Sequence, residues 1–152
     1  MLRLHLLRHA KTNQISPSGK DFDRELLPKG YEQLHNFKRF FAAHPFQVGT
    51  ILCSSAVRTR QTYHELATLF EAVPVQFLDS LYLASATTLL QHLNQLKSPS
   101  DLLLIGHNDG LSELASLLSD QTIYLKTCGY CCLEFSFEHS GYISAGTGTT
   151  VI

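Results

Sequence analysis

The run Asp101-Leu102-Leu103-Leu104-Ile105, closed by Gly106 and followed by His107-Asn108, is apolar at every position from 102 to 105. A strand with one wet face alternates apolar and polar residues. A short unbroken apolar run between an acid and a glycine is expected where both faces of a strand are covered, as in the middle of a parallel sheet.

Working outward, short apolar runs alternate with amphipathic stretches. Leu2-Arg3-Leu4-His5-Leu6-Leu7 predicts a first strand, and residues 11–29 have loop composition. Pro28-Lys29-Gly30 opens a helix with Tyr31, Leu34, Phe37 and Phe41 at helical spacing, and Pro45 ends that region. Val48–Cys53 predicts a second strand. Ser54 and Ser55 are placed to cap a helix carrying Val57, Tyr63, Leu66, Leu69 and Phe70. Val75–Leu78 is a third strand, and a helix runs from Thr87 to Leu96. A further helix, marked by Leu111, Leu114, Ala115 and Leu118, follows the 102–105 run. The tail changes period. Cys131, Leu133, Phe135 and Phe137 alternate with Cys132, Glu134, Ser136 and Glu138, and Gly141-Tyr142-Ile143-Ser144 is the expected hairpin partner. This order predicts an α/β fold in one domain over residues 1–152: a three-layer α/β/α sandwich with a mostly parallel central sheet and an antiparallel C-terminal edge.

Composition narrows the function. Twelve Lys and Arg against 13 Asp and Glu give a net charge of -1, so no broad positive field exists to hold a nucleic acid or an anionic membrane. An anion site must be local. The N-terminal MLRLHLLRHAK is broken by Arg3, His5, Arg8 and His9 and does not read as a signal peptide. No window approaches the ~18–20 apolar residues of a membrane span. A cytoplasmic location is expected, with Cys53, Cys128, Cys131 and Cys132 as reduced thiols. The Cys128-Gly129-Tyr130-Cys131-Cys132 run is a poor zinc site, because Cys131 and Cys132 fall on opposite faces of a strand.

In parallel α/β sheets the ligand sits beyond the carboxyl ends of the strands. Arg8 and His9 follow the first predicted strand, Ser54, Ser55 and Arg58 the second, and Gly106, His107 and Asn108 the fourth. If these strands are neighbours, two arginines and two histidines converge on one crevice. Guanidinium forks match phosphate oxygens, and helix N-termini after Ser54 and His107 add N–H donors. No carboxylate set accompanies the histidines, so direct cation–phosphate contact is expected rather than a metal, and no cofactor is called for.

These residues resemble known motifs. Leu6-Leu7-Arg8-His9-Ala10 is similar to the Arg-His-Gly signature of the histidine phosphatase, or phosphoglycerate-mutase-like, superfamily. Ser54-Ser55-Ala56-Val57-Arg58-Thr59-Arg60-Gln61-Thr62 resembles its Ser-Pro-x-x-Arg-Ala-x-Gln-Thr motif, and Leu104–Asn108 its Val-x-His segment. Asp21–Gly30 and Asp79-Ser80-Leu81-Tyr82 resemble the SixA-like phosphohistidine phosphatase branch. Ala10 stands in place of Gly and Ser55 in place of Pro. The stretch from Arg58 to Tyr82 is too short for the substrate-covering insertions of the larger mutases.

The resemblance implies a phosphoglycerate-mutase-like fold and His9 as the nucleophile, phosphorylated and then hydrolysed. It also implies Arg8, Arg58 and His107 around the phosphoryl group. Asp79 is the candidate general acid, or alternatively a turn residue. Thr12 and Asn108 are further candidate phosphate contacts, Thr12 alternatively being an ordinary loop hydroxyl. Arg24 either reaches the pocket rim or pairs with Asp21 or Glu25. The implied activity is metal-independent hydrolysis of phosphohistidine in a protein or peptide. Alternatives are a small-molecule phosphomonoesterase and a non-catalytic phosphate-binding module.

Overall fold

The computed structural model describes residues 1–151. Six strands, β1 (Leu2–Arg8), β2 (Thr50–Ser54), β3 (Val75–Leu78), β4 (Leu102–Gly106), β5 (Tyr130–Phe135) and β6 (Thr149–Thr150), form one sheet in the order β3-β2-β4-β1-β5-β6. Helices α1 (Pro28–Ala43), α2 (Val57–Leu66), α3 (Ala86–Leu96) and α4 (Gly110–Ser119) connect or flank them. β1 to β4 pair in parallel, while β5 runs antiparallel to β1 and β6.

The 102–105 run lies in the interior of the sheet, as its pattern predicts, and all five residues of β4 are buried. Leu102 and Leu104 point to one side, with Leu2, Leu4 and Leu6 of β1, and meet Leu89 and Leu93 of α3 and Leu111, Leu114 and Leu118 of α4. Leu103 and Ile105 point to the other, with Leu7, Ile51 and Cys53, and meet Leu34 and Phe37 of α1 and Leu66 of α2. Two apolar faces on one sheet require two helical layers, hence the sandwich.

Local chemistry sets the helix ends. Pro28 begins α1, where its missing N–H costs nothing. Ser85 caps α3 by accepting from the Thr88 N–H at 3.2 Å. Two expectations are corrected. Ser54 and Ser55 do not cap α2: Ala56 takes the N-cap position with no side-chain cap, and both hydroxyls are engaged elsewhere. The Gly141–Ser144 segment is not a hairpin strand. Asn94 Nδ2 donates to the carbonyls of Ser140 (3.0 Å) and Ile143 (2.9 Å), drawing the segment into a 3-10 turn (Ser140–Tyr142) against α3. The strand paired with β5 is Thr149–Thr150. The alternating tail also has no wet face at position 132, since Cys132 is buried beside His5 of β1.

At the carboxyl end of β4 the chain turns tightly into α4. A Cβ on Gly110 would stand 1.9 Å from the Ala84 carbonyl oxygen, a backbone atom with little freedom to move. An exposed helical Gly→Ala substitution ordinarily gains up to about 1 kcal/mol. Here Gly110→Ala should instead lose about 1–3 kcal/mol of stability in urea unfolding, as overpacking does. A stabilised variant would contradict the close packing of α4 against the 84 turn.

Candidate active site

The strand order makes β4 the neighbour of both β1 and β2, so the three strands end side by side. Arg8 pairs in register with Gly106, and the His9 N–H donates to the Gly106 carbonyl at 3.1 Å. Residues 126–129 are fastened to the same place: the Cys128 N–H donates to the His9 carbonyl (2.9 Å) and the Arg8 N–H to the Gly129 carbonyl (3.0 Å). A cavity of about 330 Å³ opens there, lined by Arg8, His9, Arg58 and His107 together with Thr12, Asp21, Arg24 and Asn108.

His9 is held in one protonation form. Its Nδ1 lies 2.7 Å from the Ala10 carbonyl oxygen. A carbonyl only accepts, so Nδ1 carries the proton and Nε2 keeps its lone pair. Nε2 has no protein partner among the described residues. Burial, joined by the charges of Arg58, Arg8 and Arg24, pushes the His9 pKa down to about 4, although the Ala10 bond opposes this. His107 is likewise pushed down to about 3, mainly by burial and then by Arg58. Both rings are therefore neutral at pH 7. The two ring centroids are 5.4 Å apart.

Among the described residues, four buried side-chain nitrogens have no hydrogen-bond partner: His5 Nε2, Arg8 Nε, Arg58 Nε and His107 Nδ1. Three of these belong to residues that line the cavity. A buried donor left unpaired costs about 1–3 kcal/mol, so such a cluster marks a place where an acceptor completes the structure. A tetrahedral oxyanion carries several acceptor oxygens, and guanidinium groups are well matched to them.

The other expected residues divide. Arg58 is buried; its Nη1 donates to the Asp21 carbonyl (2.8 Å) and its Nη2 to the Asp21 carboxylate (3.0 Å). Arg8 Nη1 donates to the Leu125 carbonyl at 3.1 Å. Arg24 both lines the cavity and pairs with Asp21, and each of its nitrogens has a protein partner: Nε the Asn13 carbonyl, Nη1 Asp21 and Nη2 Thr12 Oγ1. Thr12 thus accepts from Arg24 at the cavity wall. Asn108 touches the cavity, yet its amide serves the scaffold. Nδ2 donates to the Leu125 carbonyl at 2.7 Å, and Oδ1 accepts from Ser112 Oγ at 2.7 Å.

Asp79 is not brought to the cavity. It begins a 3-10 turn after β3 and accepts from Ser55 Oγ, which fits the turn role rather than that of the acid. The carboxylate that does line the cavity is Asp21. Hydrogen bonds from Tyr82 foremost, and from Arg24 and Arg58, hold its pKa far below the usual carboxylate range. Its position three residues before Arg24 is the sequence signal for it. Thr127 also lines the cavity; it arrives through the backbone bonds of its neighbour Cys128 and leaves no such signal. No group of three or more His, Cys, Asp or Glu side chains suited to a metal ion occurs among the described residues. No described helix is long and apolar enough to cross a membrane.

Comparison with known proteins agrees with this arrangement. The sequence profile of the histidine phosphatase superfamily (branch 1) matches residues 4–82. An uncharacterised chloroplastic protein of Arabidopsis thaliana is 32% identical over 143 residues, 87% of this chain and 66% of its own length. The chain thus spans slightly less than two thirds of that relative. The crystal structure of a candidate phosphohistidine phosphatase SixA from Agrobacterium tumefaciens superposes with a TM-score of 0.80 at 26% identity, covering 88% of this chain and 91% of the other. A protein histidine phosphatase SixA complexed with tungstate has the same fold, with a TM-score of 0.82 at 16% identity over 99% of this chain and 94% of the other. The chain belongs to the histidine phosphatase superfamily.

The neutral rings have a measurable signature. Their depressed pKa values mean that His9 and His107 should keep the NMR ring-proton shifts of neutral imidazole on acidification from pH 7 to about 5, where an ordinary histidine (6.5) has already titrated. Stability should move with them. Below pH ~6.5 the unfolded chain binds protons that the folded chain refuses, so unfolding free energy should fall as pH drops toward 4. A His9 midpoint near 6.5 would refute the buried, neutral state of this ring.

Proposed function

We propose that this chain is a phosphatase that cleaves phosphohistidine, in a protein or peptide, through a phosphorylated His9. The observation that carries the reading is that Arg8, Arg58 and His107, each with an unpaired buried nitrogen, line the same cavity as a neutral His9 whose Nε2 is bare. Nε2 attacks phosphorus, the substrate's P–N bond breaks with its electron pair going to the substrate ring, and that ring, already protonated at its other nitrogen, departs as neutral imidazole. Water then attacks the phosphorus of phospho-His9, releasing phosphate and restoring the ring. Charge on the equatorial oxygens is met by donors already in place, which is the main catalytic task in phosphoryl transfer.

An alkoxide needs a proton as it departs. Asp79 stands apart from the cavity, and Asp21 is held ionised by Tyr82, Arg24 and Arg58. Asp21 therefore holds no proton for transfer at pH 7. Cleavage of a labile P–N bond, with imidazole as the leaving group, depends least on such an acid. The cavity's open mouth suits a group presented on a larger molecule. The likeness to the Agrobacterium SixA protein supports the same substrate class.

Turnover of a phosphohistidine peptide should exceed that of an alkyl phosphate by at least a hundredfold in kcat/KM, with an aryl phosphate between them. His9→Ala should leave less than a few percent of wild-type turnover with the thermal midpoint within about 2 °C. Chelation by EDTA should not change the rate. Equal rates on alkyl phosphate and phosphohistidine would favour the phosphomonoesterase, and phosphate binding without turnover would favour the binding module.

Arg58→Ala should weaken inhibition by inorganic phosphate ten- to hundredfold, the loss expected for a charge-assisted contact of ~1.5–3 kcal/mol. Asp79→Asn should leave phosphate inhibition and phosphohistidine turnover within about twofold of wild type. An Asp79→Asn defect confined to alkyl phosphates would restore Asp79 as an acid.

A further inference from the structure

His107 presents an asymmetry. Its Nε2 lies 2.7 Å from Ser54 Oγ, while Nδ1 is buried and has no partner. Because the ring is neutral, it carries one proton, and the position of that proton decides whether the unpaired nitrogen is a donor or a lone pair. Ser54 is fully buried, and its hydroxyl has two polar neighbours among the described residues: His107 Nε2 and the Ala56 N–H at 3.4 Å. The Ala56 N–H can only donate. The Ser54 hydrogen therefore has one acceptor, His107 Nε2.

The alternative proton positions can be counted. With the proton on Nε2, the Ser54 hydrogen and the Nδ1 lone pair are both buried without partners. With the proton on Nδ1, Ser54 is satisfied and only Nδ1–H waits. The second arrangement leaves one unmet group rather than two, and that group is of the same kind as the Nε–H of Arg8 and of Arg58.

We infer that Ser54 is a positioning residue for the reaction: by donating to Nε2 it fixes His107 with Nδ1–H as the third donor to the phosphoryl oxygens. This rests on reading the cavity as a phosphoryl site. A His107 in the other tautomer would turn a lone pair toward an oxyanion, and binding would first require moving the proton. Ser54 thus acts through His107 and does not touch the substrate. Tyr82 packs edge-on against the same ring at 5.5 Å and 82°, so the ring is also restrained from the side.

The test is made on protein labelled with 15N at histidine and arginine, by long-range proton–nitrogen NMR at pH 7, His107 being assigned by loss of its signals in His107→Gln and Arg8 and Arg58 by loss of theirs in Arg8→Lys and Arg58→Lys. In the wild type Nδ1 should be protonated and Nε2 bare. Ser54→Ala should convert His107 to a mixture of tautomers or to Nε2–H. It should also lower kcat/KM for a phosphohistidine peptide ten- to hundredfold, while His9 keeps its Nδ1–H form. Added inorganic phosphate should shift the wild-type Nδ1–H proton strongly downfield.

A wild-type Nε2–H tautomer overturns the inference, as does a Ser54→Ala spectrum indistinguishable from wild type. So does phosphate that moves the Nε–H signals of Arg8 and Arg58 but leaves His107 unmoved. If phosphate moves none of these signals, the phosphoryl reading of the cavity fails and the role of Ser54 fails with it. A purely packing role for Ser54 would lower the stability of the Ser54→Ala variant without altering the tautomer.

Discussion

Two-sided burial of β4 is the constraint from which the rest follows. Four successive apolar side chains cannot all be covered by one layer, so helices must pack on both faces, and the strand must sit inside the sheet with a parallel neighbour on each side. Those neighbours are β1 and β2. The arrangement brings the ends of three strands together, and each end delivers one part of the chemistry: Arg8 and His9, then Ser54 with Arg58 one turn on, then His107. The core and the site share the same side-chain rows. Leu7 and Ile105, both fully buried, anchor the strands immediately before Arg8 and Gly106. A cavity in the core near them would reach the histidines through the backbone before it reached the surface.

What is legible in the sequence follows this logic. The continuous run at 102–105 and the alternation of elements determine the layers, because burial patterns are local in sequence. His9, Arg58 and His107 stand just after strands, where a doubly wound sheet places its ligands. The failures are equally physical. Ser54 and Ser55 look like caps, since serine before a helix commonly is one. Their hydroxyls instead bond His107 and Asp79, partners 53 and 24 residues away. Asp79 looks like an acid because it follows a strand, but β3 is the outermost strand of the parallel set, and its end lies away from the β1–β4 junction. Asp21 sits in a loop-rich stretch with no period to place it; its spacing from Arg24 is the one local signal, and nothing local shows that Arg58 and Tyr82 also converge on it. Asn94 gives no sign that it gathers the carbonyls of 140 to 143 and displaces an expected strand.

One construction recurs around the cavity. Each key side chain is gripped by the protein at one or two polar atoms and has another without a hydrogen-bond partner among the described residues. The Ala10 carbonyl grips His9 at Nδ1 and leaves Nε2 bare; the Leu125 carbonyl holds Arg8 by Nη1 and Asp21 holds Arg58 by both Nη atoms, each leaving Nε unpaired; Ser54 holds His107 at Nε2 and leaves Nδ1. The grips fix the orientation of each side chain, so on the proposed reading a reacting phosphorus would require little reorganisation. A buried nitrogen without a partner is unfavourable, a penalty that a ligand with several acceptor oxygens would relieve. The role of Asp21 follows from the same construction. An ionised carboxylate beside a phosphate is repulsive, yet without it the Nη edge of a buried Arg58 would have no acidic partner, and the guanidinium would be free to turn. Its cost as an acid is the same fact in another form: the three groups that keep Asp21 ionised enough to hold Arg58 leave it unable to supply a proton, which is why the proposed substrate is one whose leaving group does not require one.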